Sequence, residues 1–202
     1  MRQDAPAGAN RRQRPLRVTA VLAIAVGIGF VVWLVTRDDS RPATPEASTS
    51  ATPPPPVAPR ARPLLTAVTP QTLAILAADA GQPIYWAGPK RFVKYEVTRT
   101  RDRKFYVRYL PRAIPVGSRS GEYLLVGTYP VPDAYRAVQR AGRQPGATTF
   151  SVPGGGLAVV NANAPNNIYF AYPNAGYQVE VFDPRAQRAR RLVASGAVKP
   201  VG

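Results

Sequence analysis

The sequence predicts an α+β domain with a mostly antiparallel sheet and two or three short helices, preceded by one transmembrane helix and a disordered Pro-rich linker. Two observations predict the domain. From residue 64 onward, short β-like runs come in groups separated by Gly, Pro and Asn turns. Capped helical segments stand between the groups, and strands grouped between helices with short connections favour antiparallel pairing. A third observation predicts what lies ahead of it: Val18 to Thr36, VTAVLAIAVGIGFVVWLVT, runs without a charge.

Residues 1–17 form a basic stub with Arg2, Arg11, Arg12, Arg14 and Arg17 against one acid, Asp4. The apolar run 18–36, as a helix, reaches about 28 Å, close to the hydrocarbon thickness of a bilayer. Trp33 falls at its outer end, where an indole suits the interface. VVWLVTRDD offers no small-residue cleavage site, so the run reads as an uncleaved signal anchor rather than a signal peptide. The arginines ahead of it place the N-terminus in the cytoplasm and everything after Thr36 outside. Ala23-x3-Gly27 and Ala25-x3-Gly29 are small-residue pairs of the kind that lets spans pack closely, the one hint of a homo-oligomer. Residues 37–63 are Pro-, Ala- and Thr-rich, with Pro53 to Pro56 in a row. Such a segment cannot bury enough apolar surface to offset its ordering entropy. It is a tether of about 30 to 85 Å, depending on stiffness.

The extracytoplasmic domain occupies residues 64–202. Thr69-Pro70 reads as an N-cap with proline at the first helical position, and Leu73, Leu76, Ala77 and Ala80 recur at helical spacing before Gly81. PIYWAG reads as a short strand. Residues 93–109 follow as a hairpin in which Val93, Tyr95, Val97, Phe105, Val107 and Tyr109 alternate with Lys94, Glu96, Thr98, Tyr106 and Arg108, one face in the core and the other wet. Glu122 to Tyr129 is a further strand. Asp133 to Ala141 is a second helix, stopped by Gly142. FSVP, GLAVVNA, NIYFAY and YQVEVF are strands, and a last helix starts at Asp183-Pro184 and stops at Gly196. Both halves carry a helix ending in Ala-Gly and then a Gln-Pro dipeptide, which suggests an old duplication.

Composition excludes several chemistries. Cysteine and histidine are absent, so disulfides, zinc sites and His-dependent catalysis are excluded, and no cofactor or metal is expected. Ser118, Ser120, Ser151 and Ser195 have no S-x-x-K partner for a Ser-Lys dyad. The folded part holds seven carboxylates, but Glu96 and Glu180 fall on the polar face of strands and read as solvated. PGGGLAVV leads into a β-branched run rather than a helix, so it reads as a turn and not a phosphate loop. Phe150, Tyr169, Phe170, Tyr172, Tyr177 and Phe182 read as core. No catalytic residue is expected.

The formal charge is +16, and 23 of the 27 basic residues are arginine. Much of this reflects the residue choice of a GC-rich genome, and solvated edge charges also discourage sheet aggregation. The charge of the domain is nevertheless concentrated. Lys90 to Arg112 holds nine basic and two acidic residues, a local +7, against about +4 for the rest of residues 64–202. Guanidiniums on a rigid ribbon offer bidentate contacts to phosphate or carboxylate. The candidate anion contacts are Lys94, Arg99, Arg101, Arg103, Lys104 and Arg108. A basic ribbon outside the membrane has no nucleic acid to meet; an anionic wall polymer, lipid head groups or an acidic envelope protein are the available partners.

With its basic stub, single span, tether and the strings PIYWAG, YVRYLP, VGTYP and YQVEVFDP, the chain resembles uncharacterised single-pass membrane proteins of GC-rich, actinobacteria-like bacteria. The resemblance implies location and architecture, and transfers no functional residue. The expected function is a membrane-anchored, non-enzymatic binding protein of the cell envelope. The alternatives are a bitopic structural or assembly protein of a membrane complex and, further off, a carboxylate-dependent hydrolase.

Overall fold

The structure, a computed structural model, describes residues 64–202. The basic stub, the apolar run 18–36 and the Pro-rich tether lie outside the described residues. Among the described residues, no helix is long and apolar enough to cross a membrane.

The domain is a mostly antiparallel sheet with three helices. The elements run β1 (Leu64–Val68), α1 (Pro70–Ala80), β2 (Tyr85–Trp86), β3 (Val93–Arg99), β4 (Phe105–Pro111), β5 (Leu125–Pro130), α2 (Ala134–Gly142), β6 (Ala147–Val152), β7 (Gly156–Asn161), β8 (Ala164–Ala171), β9 (Tyr177–Phe182), α3 (Ala186–Ala194) and β10 (Lys199–Pro200). Eight strands form one sheet in the order β1-β3-β4-β5-β9-β8-β7-β6, and β2 and β10 form a small ribbon. Every pairing is antiparallel. The two meanders therefore meet at β5 and β9, where Gly127 faces Glu180.

Both faces of this sheet are covered, but unequally. On the first face Tyr95, Val97, Phe105, Val107, Val126, Ile168, Phe170, Val179 and Val181 build a core with Leu73 of α1, Tyr85 and Trp86 of β2, and Ala189 and Val193 of α3. On the second face Tyr129, Val159, Tyr169 and Ala171 pack under Ala134, Val138 and Ala141 of α2. These two cores bury side chains such as Phe105 and Phe170, each worth roughly 1.5–3 kcal/mol. The β3–β4 part of the second face is covered instead by the β4–β5 loop, whose Gly117 N–H and Ser118 carbonyl bond to Glu96 and Arg108.

The local chemistry of the elements follows the sequence. Thr69 Oγ1 accepts the Thr72 N–H at 3.1 Å, Pro70 opens α1, and Gly81 closes it at φ 58°. The β6–β7 turn uses Gly154 and Gly155 at φ 86° and 82°, so PGGG is a turn. The last helix begins later than expected. Asp183 Oδ1 accepts the Arg185 N–H at 2.9 Å in a side-chain turn, which holds Pro184 and Arg185 outside α3. The strand order is two-fold symmetric about β5 and β9, yet α1 and α2 pack on opposite faces. A helix-plus-meander unit is therefore not repeated in the structure.

Candidate functional site

The basic ribbon is drawn apart by the fold into a tip and a base. At the tip, Arg99 stands over the ring of Phe105, its Cζ 5.6 Å from the centroid. Arg103 sits in the turn at φ 61° and its Nη2 reaches the Ala80 carbonyl at the end of α1 at 3.4 Å. Lys104 Nζ pairs with Asp102 Oδ2 at 2.7 Å, and that ammonium holds the Asp102 carboxyl below its ordinary range. Arg101 is exposed. Of the six expected contacts, Arg99, Arg101, Arg103 and Lys104 lie in or next to this turn. Lys94 and Arg108 lie on the second face of the sheet.

Arg108 is committed elsewhere. Its Nε lies 2.9 Å from Glu96 Oε1, and its Nη2 donates to the Ser118 carbonyl at 2.7 Å. Glu96 Oε2 accepts the Gly117 N–H at 2.5 Å. Glu96 is 2% exposed, so the expectation that it is solvated is corrected. The alternation of β3 placed it on the right face; the β4–β5 loop closing over that face is what removes the water.

Glu180 is also buried, at 6% exposure, and the same correction applies. It lies on β9 beneath α2. Its oxygens accept hydrogen bonds from the Tyr129 hydroxyl, the Tyr169 hydroxyl at 3.0 Å and Asn167 Nδ2 at 3.0 Å. None of these donors is charged. Burial raises the Glu180 carboxyl above the ordinary range, and the two tyrosine hydroxyls only partly oppose it. The tyrosines respond in turn. Tyr106, edge-on to Tyr129 at 5.6 Å, is pushed up to about 12 by burial and by Glu180, and the same two causes raise Tyr129 and Tyr169.

At the base of the ribbon the sheet brings together segments far apart in sequence. β3 begins and β4 ends at this end of the sheet, and so does β9, because Arg108 faces Leu125 and Leu125 faces Phe182. The β2–β3 loop and the β9–α3 turn therefore flank one cleft of about 520 Å³. Lys90 and Arg91 line it from one side and Arg185 and Arg188 from the other, with Tyr109 and Tyr123 between them. Arg188 Nε lies 3.4 Å from Asp183 Oδ2. Among the described residues, Lys90, Arg91 and Arg185 have no carboxylate within ion-pair distance. The remaining acid on the lining is the exposed Glu122. Three cations without a carboxylate partner among the described residues, and a fourth shared with Asp183, can hold a phosphate or carboxylate group through charge-assisted hydrogen bonds.

The count of charges along Lys90 to Arg112 includes two of these cations, but nothing in the sequence points to Arg185 and Arg188. Their partnership with Lys90 and Arg91 depends on β9 lying beside β5, a pairing that no local pattern encodes. No family model matches the chain, and no curated protein or solved structure matches it.

Proposed function

We propose that the chain is a membrane-tethered, non-enzymatic binding protein of the cell envelope, whose outer domain holds a phosphate- or carboxylate-bearing component in the cleft at the base of the basic ribbon. One observation carries the reading: Lys90, Arg91, Arg185 and Arg188 converge on that cleft from segments more than ninety residues apart. The tip offers less. Its arginines are spread over both sides of a turn, and Lys104 is paired with Asp102.

The test uses the full-length protein in nanodiscs of neutral lipid and fluorescent long-chain polyphosphate as the probe. Binding should fall steeply as salt rises, since it rests on partly exposed charges. Arg185→Gln with Arg188→Gln should weaken it by roughly tenfold or more, about 1.4 kcal/mol per factor of ten. Neutralising Arg99, Arg101, Arg103 and Lys104 together should change it far less. Equal losses in the two variants, or no salt-sensitive binding, would remove the assignment.

A further inference from the structure

Phe92 sits at the rim of the cleft, between Arg91 and Val93, which both line it. Three features of this residue point the same way. Its side chain is 70% exposed, more than the other exposed large hydrophobics among the described residues, Ile75 and Val116. Its backbone is held at φ 62°, a conformation that bulky residues rarely adopt and that glycine or asparagine would fill without strain. Two guanidiniums attend the ring, with Arg91 Cζ 5.8 Å and Arg112 Cζ 6.0 Å from its centroid. An exposed aromatic ring in a strained turn contributes nothing to the core, so its use lies outside the fold.

An apolar ring flanked by cations, above a cleft with unpaired cations, matches the order of layers in an anionic bilayer surface. Phosphate groups lie outermost, and acyl chains begin a few ångströms deeper. Arginine stems can lie along the ring while their heads remain with the phosphates. The sequence adds the geometry of encounter, because a tether over residues 37–63 would keep the domain within reach of the surface that the apolar run 18–36, read as a span, would enter. We propose that Phe92, with Arg91 and Arg112, is a wedge that seats the cleft on anionic phospholipid, so that the anion taken up by Lys90, Arg185 and Arg188 is a lipid phosphate. This inference rests on the anion-binding reading and names the source of its ligand.

The experiment uses full-length protein reconstituted into phosphatidylcholine vesicles, with or without phosphatidylglycerol, the acyl chains brominated near the interface. The chain has two tryptophans, Trp33 and Trp86, so Phe92→Trp in a Trp33→Phe background leaves only the buried Trp86 as a second indole. Phe92→Trp keeps an aromatic ring on a side chain that is 70% exposed, and the circular dichroism spectrum of the variant checks the fold before binding is read. Its fluorescence should be quenched in phosphatidylglycerol vesicles and not in phosphatidylcholine alone. Ile75→Trp, exposed on α1, should not be quenched in either. Adding Arg91→Gln and Arg112→Gln should lower the seated fraction by about fivefold per arginine, and high salt should do the same. Equal quenching with and without phosphatidylglycerol, or quenching at position 75, overturns the wedge. If the wedge fails while polyphosphate binding still needs Arg185 and Arg188, the cleft remains an anion site for a ligand in solution. Loss of both responses removes both readings.

Discussion

Glu96 and Glu180 sit on the same face of one sheet and are both buried, yet they are held in opposite ways. Glu96 has a guanidinium at 2.9 Å and a backbone N–H from the loop above it. Glu180 has two phenols and an amide, and no cation among those donors. The difference follows from what covers each site. Over β3 and β4 the cover is a loop with backbone groups to spare, and a charge pair can be completed there. Over β9 the cover is α2, which presents Ala134, Val138 and Ala141 to that face. A carboxylate under an apolar helix face gains little by ionising. Placement on a polar stripe thus says which face a residue occupies, and the cover decides whether it is wet.

The largest way to break the comparison is to leave Glu96 without its partner. Arg108→Met should destabilise the domain by about 3 kcal/mol, because it strands a buried carboxylate. The double variant Arg108→Met with Glu96→Leu should recover most of that loss, since apolar groups of similar volume replace buried pairs with little penalty. Urea unfolding of the two variants checks this. Next comes the packing that aims Tyr129 at Glu180. A Cβ built at Gly127 would lie 2.6 Å from the Tyr129 hydroxyl oxygen and 2.8 Å from Cζ. Gly127→Ala should therefore displace the hydroxyl and lose about 2 kcal/mol, by the same measurement.

Glu180 itself sharpens the comparison through pH. Its folded pKa lies above the unfolded value, so its contribution to stability is fully present below about pH 4.5 and is lost as pH rises through the raised folded value. Each pH unit of that rise corresponds to about 1.4 kcal/mol. Glu180→Gln should remove this part of the pH dependence, so its melting temperature gains on the parent as pH increases. A parent-to-variant difference that stays constant with pH would show that Glu180 is ionised in the fold. The smallest effect belongs to the tip, where Asp102→Asn removes an exposed pair and should change stability by only a few tenths of a kcal/mol.

Most of the sheet was legible because its strands alternate and its turns carry Gly, Pro and Asn. The caps Thr69 and Gly81 were legible for the same reason, being local chemistry. β1 was not, since LLTAV shows no period-two alternation and pairs with β3 only across α1. The burial of Glu96 and Glu180 was hidden because both covers come from elsewhere in the chain. The cleft was half legible: Lys90 and Arg91 stand inside the charged stretch, whereas Arg185 and Arg188 join them through the β5–β9 pairing.

The most direct test of the anion site is an NMR titration of arginine side-chain Nε–H signals in the full-length protein, held in neutral-lipid nanodiscs, with inorganic phosphate. The signals of Arg91, Arg185 and Arg188 should move together and saturate, while those of Arg101 and Arg103 stay in place. Movement at the tip without movement at Arg185 and Arg188 would contradict the assignment of the cleft.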